Sequence, residues 1–115
     1  MRTRVILGLL AAVVLWPGAG LAQSAGPDPA AGKAVFTAWC APCHGVGPYM
    51  AGTNGLRAKY KGEKPPVLEE RTDLTPDLVK MFVRRGVGIM APFRKTEITN
   101  AELDALAAYL SSRKR

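Results

Sequence analysis

Both cysteines and the only histidine of this 115-residue chain lie in one short segment, Cys40-Ala41-Pro42-Cys43-His44. A chain of this length forms one small domain, and domains of this size often need a disulfide, a metal or a cofactor for stability. A disulfide between Cys40 and Cys43 would close too small a loop to stabilise the fold much. The segment therefore indicates a bound metal or cofactor.

Several kinds of site fit cysteines at this spacing. A thioredoxin-type dithiol is expected beside a βαβ pattern, which this sequence lacks. A structural zinc site needs four ligands, and the cluster offers only three. Two buried cysteines beside a core histidine would be a purely structural alternative. Cys-x-x-Cys-His is the signature of covalent haem attachment, which predicts one haem c with Cys40 and Cys43 as thioether anchors and His44 as the proximal iron ligand.

The second axial ligand of the iron decides the chemistry, because a methionine there gives a six-coordinate electron-transfer site whereas an open position suits gas binding or peroxide chemistry. Met50 follows His44 too closely to reach the opposite face of a haem. Met81 lies in the middle of a predicted helix, among apolar neighbours, and is expected to pack in the core of the domain. Met90 lies in a loop with glycines at 86 and 88 and a proline at 92. We therefore predict Met90 as the distal ligand, with a simple hydrophobic plug as the alternative. We also expect a backbone carbonyl near residues 47–48 to accept from the other ring nitrogen of His44.

The first 22 residues have the layout of a secretory signal peptide. Arg2 and Arg4 precede an apolar run over residues 5–16, and Gly20-Leu21-Ala22 provides small residues before a cleavage point. The apolar run is shorter than the roughly 20 residues that span a membrane, which disfavours an uncleaved anchor. The sequence thus predicts a signal peptide over 1–22, a single domain over 23–115, a periplasmic location and no stable membrane span after cleavage.

The predicted mature domain is basic. Removing Arg2 and Arg4 with the signal lowers the formal charge from +7 to +5, and such a balance favours an acidic partner surface. An exported chain with no run of basic residues between aromatics is not expected to bind nucleic acid.

The chain predicts an all-α domain with three main helices and long loops, because no strand-like alternation of any length occurs. Asp28-Pro29 and Thr75-Pro76 each combine an N-cap residue with a proline at the first helical position. Thr99-x-x-Glu102 is a capping box, with Ile98 and Leu103 as its hydrophobic staple. The main helices are predicted over about 29–39, 76–85 and from 99 towards the end, with a further short one over about 54–60.

These residues together resemble the class I (monohaem) cytochromes c over about residues 28–110. The resemblance is carried by the N-terminal helix, Cys40-Ala41-Pro42-Cys43-His44, the Met90 loop and the C-terminal helix. It implies that the first and last helices cross, with Gly32 and Phe36 against Leu106 and Tyr109, around one haem. It also implies an electron-transfer protein with no bond-making chemistry of its own.

Two longer segments are similar to the cytochrome subunit of p-cresol methylhydroxylase and of related 4-alkylphenol and eugenol hydroxylases. They read "AVFTAWCAPCHGVGP" and "VLEERTDLTPDLVKMFVRRGVGIMAPFRKTEITNAELDALAAYL". The likeness implies an FAD-containing oxidoreductase subunit as partner, which would pass electrons singly to the haem, and a downstream redox acceptor. That family commonly reads Met-Pro-x-Phe, whereas this chain has Met90-Ala91-Pro92-Phe93.

Two other functions are compatible with the sequence. One is a free periplasmic cytochrome that serves several partners, and the other is a haem sensor or peroxidase-like protein with an open iron site. Four basic residues near the Met90 loop, Arg84, Arg85, Arg94 and Lys95, form either a docking rim for an acidic partner or an ordinary solvated face. Arg57, Tyr49, Tyr60 and Trp39 are candidates for contacts to haem propionates.

Overall fold

The computed structural model describes residues 26–112, so the predicted signal peptide over 1–22 lies outside the described residues. The α-helices are α1 (Pro29–Val35), α2 (Ala41–His44), α3 (Ala51–Tyr60), α4 (Pro76–Arg85) and α5 (Asn100–Ser111). Within residues 26–112 there is no β-strand, and the single bridge joins Val87 to Met90. The predicted all-α class is confirmed.

The first helical stretch is longer than predicted and contains a wide turn. A π-helical segment, Phe36–Cys40, follows α1 directly and leads into α2. Its i→i−5 bond runs from the Ala41 N–H to the Phe36 carbonyl. Pro42 has no N–H to donate and its ring would clash with the carbonyl four residues earlier, so a regular α-helix cannot continue through this point. The wider turn carries the chain past Pro42 to His44.

The first and last helices cross at Gly32. A Cβ atom on Gly32 would lie 2.0 Å from the Ala105 carbonyl oxygen and 2.7 Å from Cβ of Tyr109, so only glycine allows the two backbones to approach this closely. One turn further on, the rings of Phe36 and Tyr109 pack with their centroids 6.0 Å apart. The predicted crossing of α1 and α5 is confirmed.

The helix α3 is longer than the short helix predicted over about residues 54–60. It begins at Ala51, earlier than expected, and is as long as α4. The predicted N-caps of α1, α4 and α5 are confirmed. The side chains of Asp28, Thr75 and Thr99 each accept from a backbone N–H in the first turn of their helix. The Thr99–Glu102 capping box is complete in both directions.

The core lies between α1, α4 and α5, and its buried apolar side chains are Val35, Phe36, Leu74, Val79, Val83, Ile98, Leu103, Leu106, Tyr109 and Leu110. The prediction that Met81 packs in this core is wrong, because its side chain is 38% exposed. No helix within residues 26–112 is both long enough and apolar enough to cross a bilayer.

Candidate functional site

A cleft opens between the end of the first helical stretch, α3, α4 and α5, and it encloses about 800 Å³ including the part open to solvent. Its lining is predominantly apolar, which is typical of sites for large organic cofactors. The residues that line it are Cys40, His44, Leu56, Lys59, Tyr60, Leu68, Arg71, Leu74, Leu78, Val79, Phe82, Val83, Val87, Met90, Leu106 and Leu110. Three of the four sequence-predicted site residues, Cys40, His44 and Met90, therefore share one cavity.

The two cysteines are placed differently. Cys40 is buried in the cleft wall, whereas Cys43 is exposed and does not line the cleft, and they form no disulfide. Burial, reinforced by the neighbouring Cys43, raises the pKa of the Cys40 thiol to about 11. A redox dithiol needs an accessible cysteine with a lowered pKa, and the buried Cys40 thiol does not meet that requirement.

His44 ends α2 and lines the cleft. Burial lowers the pKa of His44 below its ordinary value, and the neutral imidazole is the form that binds metals. Its Nδ1 atom is shielded from solvent and has no hydrogen-bond partner among the described residues. The expected acceptor near residues 47–48 is therefore not provided, and the Pro48 carbonyl accepts from the Asn54 side chain at 2.8 Å instead.

A close approach by α3 fixes one side of the His44 ring. A Cβ on Gly52 would lie 2.5 Å from Cε1, 2.7 Å from Nδ1 and 2.8 Å from Nε2 of His44. The glycine thus leaves the space that the imidazole ring occupies. Nothing in the sequence pattern marked Gly52 for this role.

The three methionines among the described residues differ in their position relative to the cleft. Met90 lines the cleft from the loop between α4 and α5, whereas Met50 and Met81 do not line it. Among the four residues considered for contacts to propionates, Tyr60 lines the cleft, and Arg57, Tyr49 and Trp39 do not.

Arg71 is a cleft residue that the sequence did not reveal. Its side chain is only 4% exposed and makes a two-point ion pair with Asp73, with Nε–Oδ1 at 2.6 Å and Nη2–Oδ2 at 2.8 Å. Its guanidinium also lies 4.7 Å from the ring centroid of Tyr60. Arg71 and Lys59 are the charged residues in the described lining, so the cleft offers two cations to an acidic ligand group. In the sequence, the only indication of this ion pair is the spacing of Arg71 and Asp73, two residues apart.

Acid should weaken the fold through Asp73. Hydrogen bonds from Arg71, and secondarily from Lys64 at 2.7 Å, hold the pKa of Asp73 well below its usual range. Because a lowered pKa stabilises the fold above the unfolded value of about 3.9 and this stabilisation is lost as pH falls, unfolding should become easier below about pH 4. The carboxylate is 38% exposed, so we expect about 1 kcal/mol or less from this group.

The measurement is denaturant unfolding of the wild type and Asp73→Asn between neutral pH and the acid range. The variant should be less stable at neutral pH and should lose less stability on acidification. Equal pH dependence in the two proteins would contradict the assignment.

The residues of the cleft fit a haem attached through the predicted motif. The cavity is large and apolar, an imidazole and a thioether line it, and one thiol lies in its wall with a second three residues away. The described residues contain no cluster of three or more His, Cys, Asp and Glu side chains that would hold a bare metal ion, which leaves the zinc alternative without a ligand set.

A family model described as "Cytochrome C oxidase, cbb3-type, subunit III" matches residues 27–110. The chain belongs to this family. The family is one of c-type cytochromes, and this chain is a monohaem member that has an all-α cytochrome c fold, carries a covalently attached haem c with iron, and serves electron transfer. No curated protein matches the chain.

Proposed function

We propose that this cytochrome is a periplasmic carrier of single electrons, which it accepts from an FAD-containing hydroxylase of 4-alkylphenols and passes to a downstream redox acceptor. The observation that carries the proposal is that His44 and Met90 line the same cleft from separate parts of the chain. A haem held between them would have both axial positions filled, and this favours electron transfer over catalysis at an open iron. The longer likeness to the cytochrome subunits of such hydroxylases supports the partner.

Each site residue has a distinct task in this proposal. Cys40 and Cys43 would anchor the cofactor through thioethers, while His44 and Met90 would hold the iron. When bound, the haem supplies a one-electron Fe(III)/Fe(II) couple. The apolar wall formed by Leu78, Val79, Phe82, Val83 and Leu106 excludes water from this site. Rigid surroundings with little water keep the rearrangement during each electron transfer small.

The cations in the cleft suit the propionates of a haem. Arg71 is held in place by Asp73 and Tyr60, so its geometry is fixed before a ligand binds. Carboxylates pair well with a fixed guanidinium. Arg71 would therefore orient one edge of the cofactor, with Lys59 as a second, more flexible cation.

Replacing Met90 with alanine tests the ligand set. The oxidised variant should lose the charge-transfer absorption of methionine-ligated haem, because the thioether is removed. Its midpoint potential should fall by on the order of 0.1 V, a fraction of the roughly 0.8 V range that axial ligands control. The reduced variant should also bind carbon monoxide readily.

Met50→Ala and Met81→Ala are matched controls, because both methionines lie outside the cleft lining. Neither change should alter the spectrum or the potential. If Met90→Ala leaves both unchanged, Met90 is not the ligand. If the native reduced protein already binds carbon monoxide readily, the iron site is open and the sensor or peroxidase-like function is favoured.

Purification of the tagged full chain from its native cells tests the partner. The proposal expects flavin and haem in a fixed ratio and reduction of the haem when a 4-alkylphenol is added. A free carrier would purify without flavin. The family description names an oxidase subunit and so supports a second candidate, an oxidase component, which would copurify with oxygen-reducing activity instead of flavin.

A further inference from the structure

The loop that carries Met90 is tightly closed at its start. It links α4 to α5 over residues 86–99, and Gly86 opens it with a φ of 67°. A Cβ at Gly86 would lie 2.4 Å from the Met90 carbonyl oxygen. Val87 and Met90 exchange two backbone hydrogen bonds, with N···O distances of 2.9 and 3.0 Å. The first half of the loop is thus a compact turn with Met90 at its end.

The second half of the loop is fastened to the end of α4 by Arg84. The guanidinium donates from Nη1 to the Phe93 carbonyl at 3.1 Å and from Nη2 to the Ile98 carbonyl at 2.8 Å. Nη2 also donates to Asn100 Oδ1 at 3.1 Å, at the start of α5. One side chain therefore joins three points that follow Met90 in the chain.

Neighbouring contacts fix the same half of the loop. The Phe93 N–H donates to the Val83 carbonyl at 2.8 Å, and the Phe93 ring packs edge-on against Trp39, with centroids 5.8 Å apart. The Ile98 side chain is completely buried. Because both ends of the loop are tied to residues 83–86, the position of Met90 depends on these ties.

We propose that Arg84 is a positioning residue that holds the 86–99 loop closed and so keeps Met90 in the wall of the cleft. The proposal rests on the proposed function, in which Met90 is the distal ligand. Charge-assisted hydrogen bonds from a guanidinium are stronger than neutral ones, and its planar fork reaches several acceptors at once. Without Arg84, the carbonyls of Phe93 and Ile98 lose these donors and the loop opens more easily.

For Arg84 the sequence left a docking rim and an ordinary solvated face open; in the structure its donors point into the loop. Arg94 pairs with Glu97 at 3.4 Å and stays largely exposed. Together with Arg85 and Lys95, which are also exposed, it remains a candidate for a docking rim.

Binding of imidazole to the oxidised, haem-loaded protein measures loop opening, since imidazole enters only when Met90 leaves the iron. Arg84→Gln should speed this binding by about tenfold or more, the factor that a charge-assisted hydrogen bond contributes. The charge-transfer absorption of the methionine-ligated form should weaken in parallel. Arg84→Lys keeps the charge but not the fork, and its rate should lie between those of Arg84→Gln and the wild type.

Two control variants separate positioning from general stability. Arg85→Gln removes a neighbouring, exposed charge, and it should bind imidazole at the wild-type rate. Thr75→Ala removes the N-cap of α4 at the far end of the same helix; it should lower the unfolding midpoint without faster imidazole binding.

The outcomes distinguish the two proposals. If Met90→Ala changes the spectrum while Arg84→Gln binds imidazole no faster than Arg85→Gln, the positioning role is wrong and the ligand assignment stands. If Thr75→Ala speeds binding as much as Arg84→Gln, general stability explains the effect and the positioning role is also wrong. If Met90→Ala leaves the spectrum unchanged, the ligand assignment itself fails. Should Arg84→Gln not fold, a wild-type rate in Arg84→Lys would overturn the positioning role.

Discussion

Gly32→Ala should destabilise the protein more than Gly52→Ala or Gly55→Ala, the other glycine-to-alanine changes within the described α-helices. The new Cβ would stand 2.0 Å from the Ala105 carbonyl oxygen. Because this neighbour is backbone, the overlap is relieved only when α1 and α5 move apart. We expect a loss of about 3 kcal/mol, at the upper end of the cost of overpacking, and a fall in Tm of more than about 10 °C.

Denaturant and thermal unfolding of the oxidised, haem-loaded protein measure this loss. Gly55→Ala is the matched control, because it adds the same methyl group inside α3, where nothing lies within 4 Å of the new Cβ. That change should stabilise the protein by up to about 1 kcal/mol through helix propensity. A Gly32→Ala protein as stable as the wild type would mean that the two helices do not cross at this glycine.

The features that could be predicted from the sequence are those whose partners are close along the chain. The capping box joins Thr99 to a residue three positions later, and the Thr75 cap acts within one turn. The Cys40–His44 segment is local in the same sense, and its chemistry follows from residue types and spacing. Short-range geometry of this kind depends little on the rest of the fold.

The features that could not be predicted depend on contacts between distant segments. The extension of α3 through Gly52 runs against the low helix propensity of glycine, and it is explained by the packing of that glycine against His44. Met81 has apolar neighbours in sequence, but Val79 and Val83 turn towards the core and leave Met81 on the outer side of α4. When apolar residues lie on several sides of a helix, their periodicity does not show which side packs against the core.

The basic residues illustrate the same limit. In the sequence Arg84 and Arg85 are equivalent, adjacent cations. In the fold one of them joins three acceptors across the Met90 loop, while the other is exposed. Arg71, within a polar segment, is likewise buried at the cleft by its pairing with Asp73. The number of charged residues predicts a basic surface, but it does not show which cations make contacts within the fold.

Gly52→Ala should cause a small loss of stability and a large change in the properties of the haem, whereas Gly32→Ala acts mainly on stability. The added Cβ would lie 2.5–2.8 Å from three atoms of the His44 ring, and a side-chain ring can swing away where a backbone carbonyl cannot. The displacement therefore costs about 1 kcal/mol, the low end for overpacking. The displaced residue, however, is His44, which is proposed to hold the iron.

The expected result for Gly52→Ala is an altered absorption spectrum, a shifted midpoint potential and a smaller fraction of chains with haem attached, while the unfolding midpoint stays close to that of the wild type. Gly55→Ala, on the same helix, should change none of the haem properties. If Gly52→Ala leaves the spectrum and potential at wild-type values, the ring of His44 is not constrained by α3. If it instead unfolds the protein as Gly32→Ala does, the ring cannot yield, and the contact between α3 and His44 is part of the rigid core and not an adjustable support for the ligand.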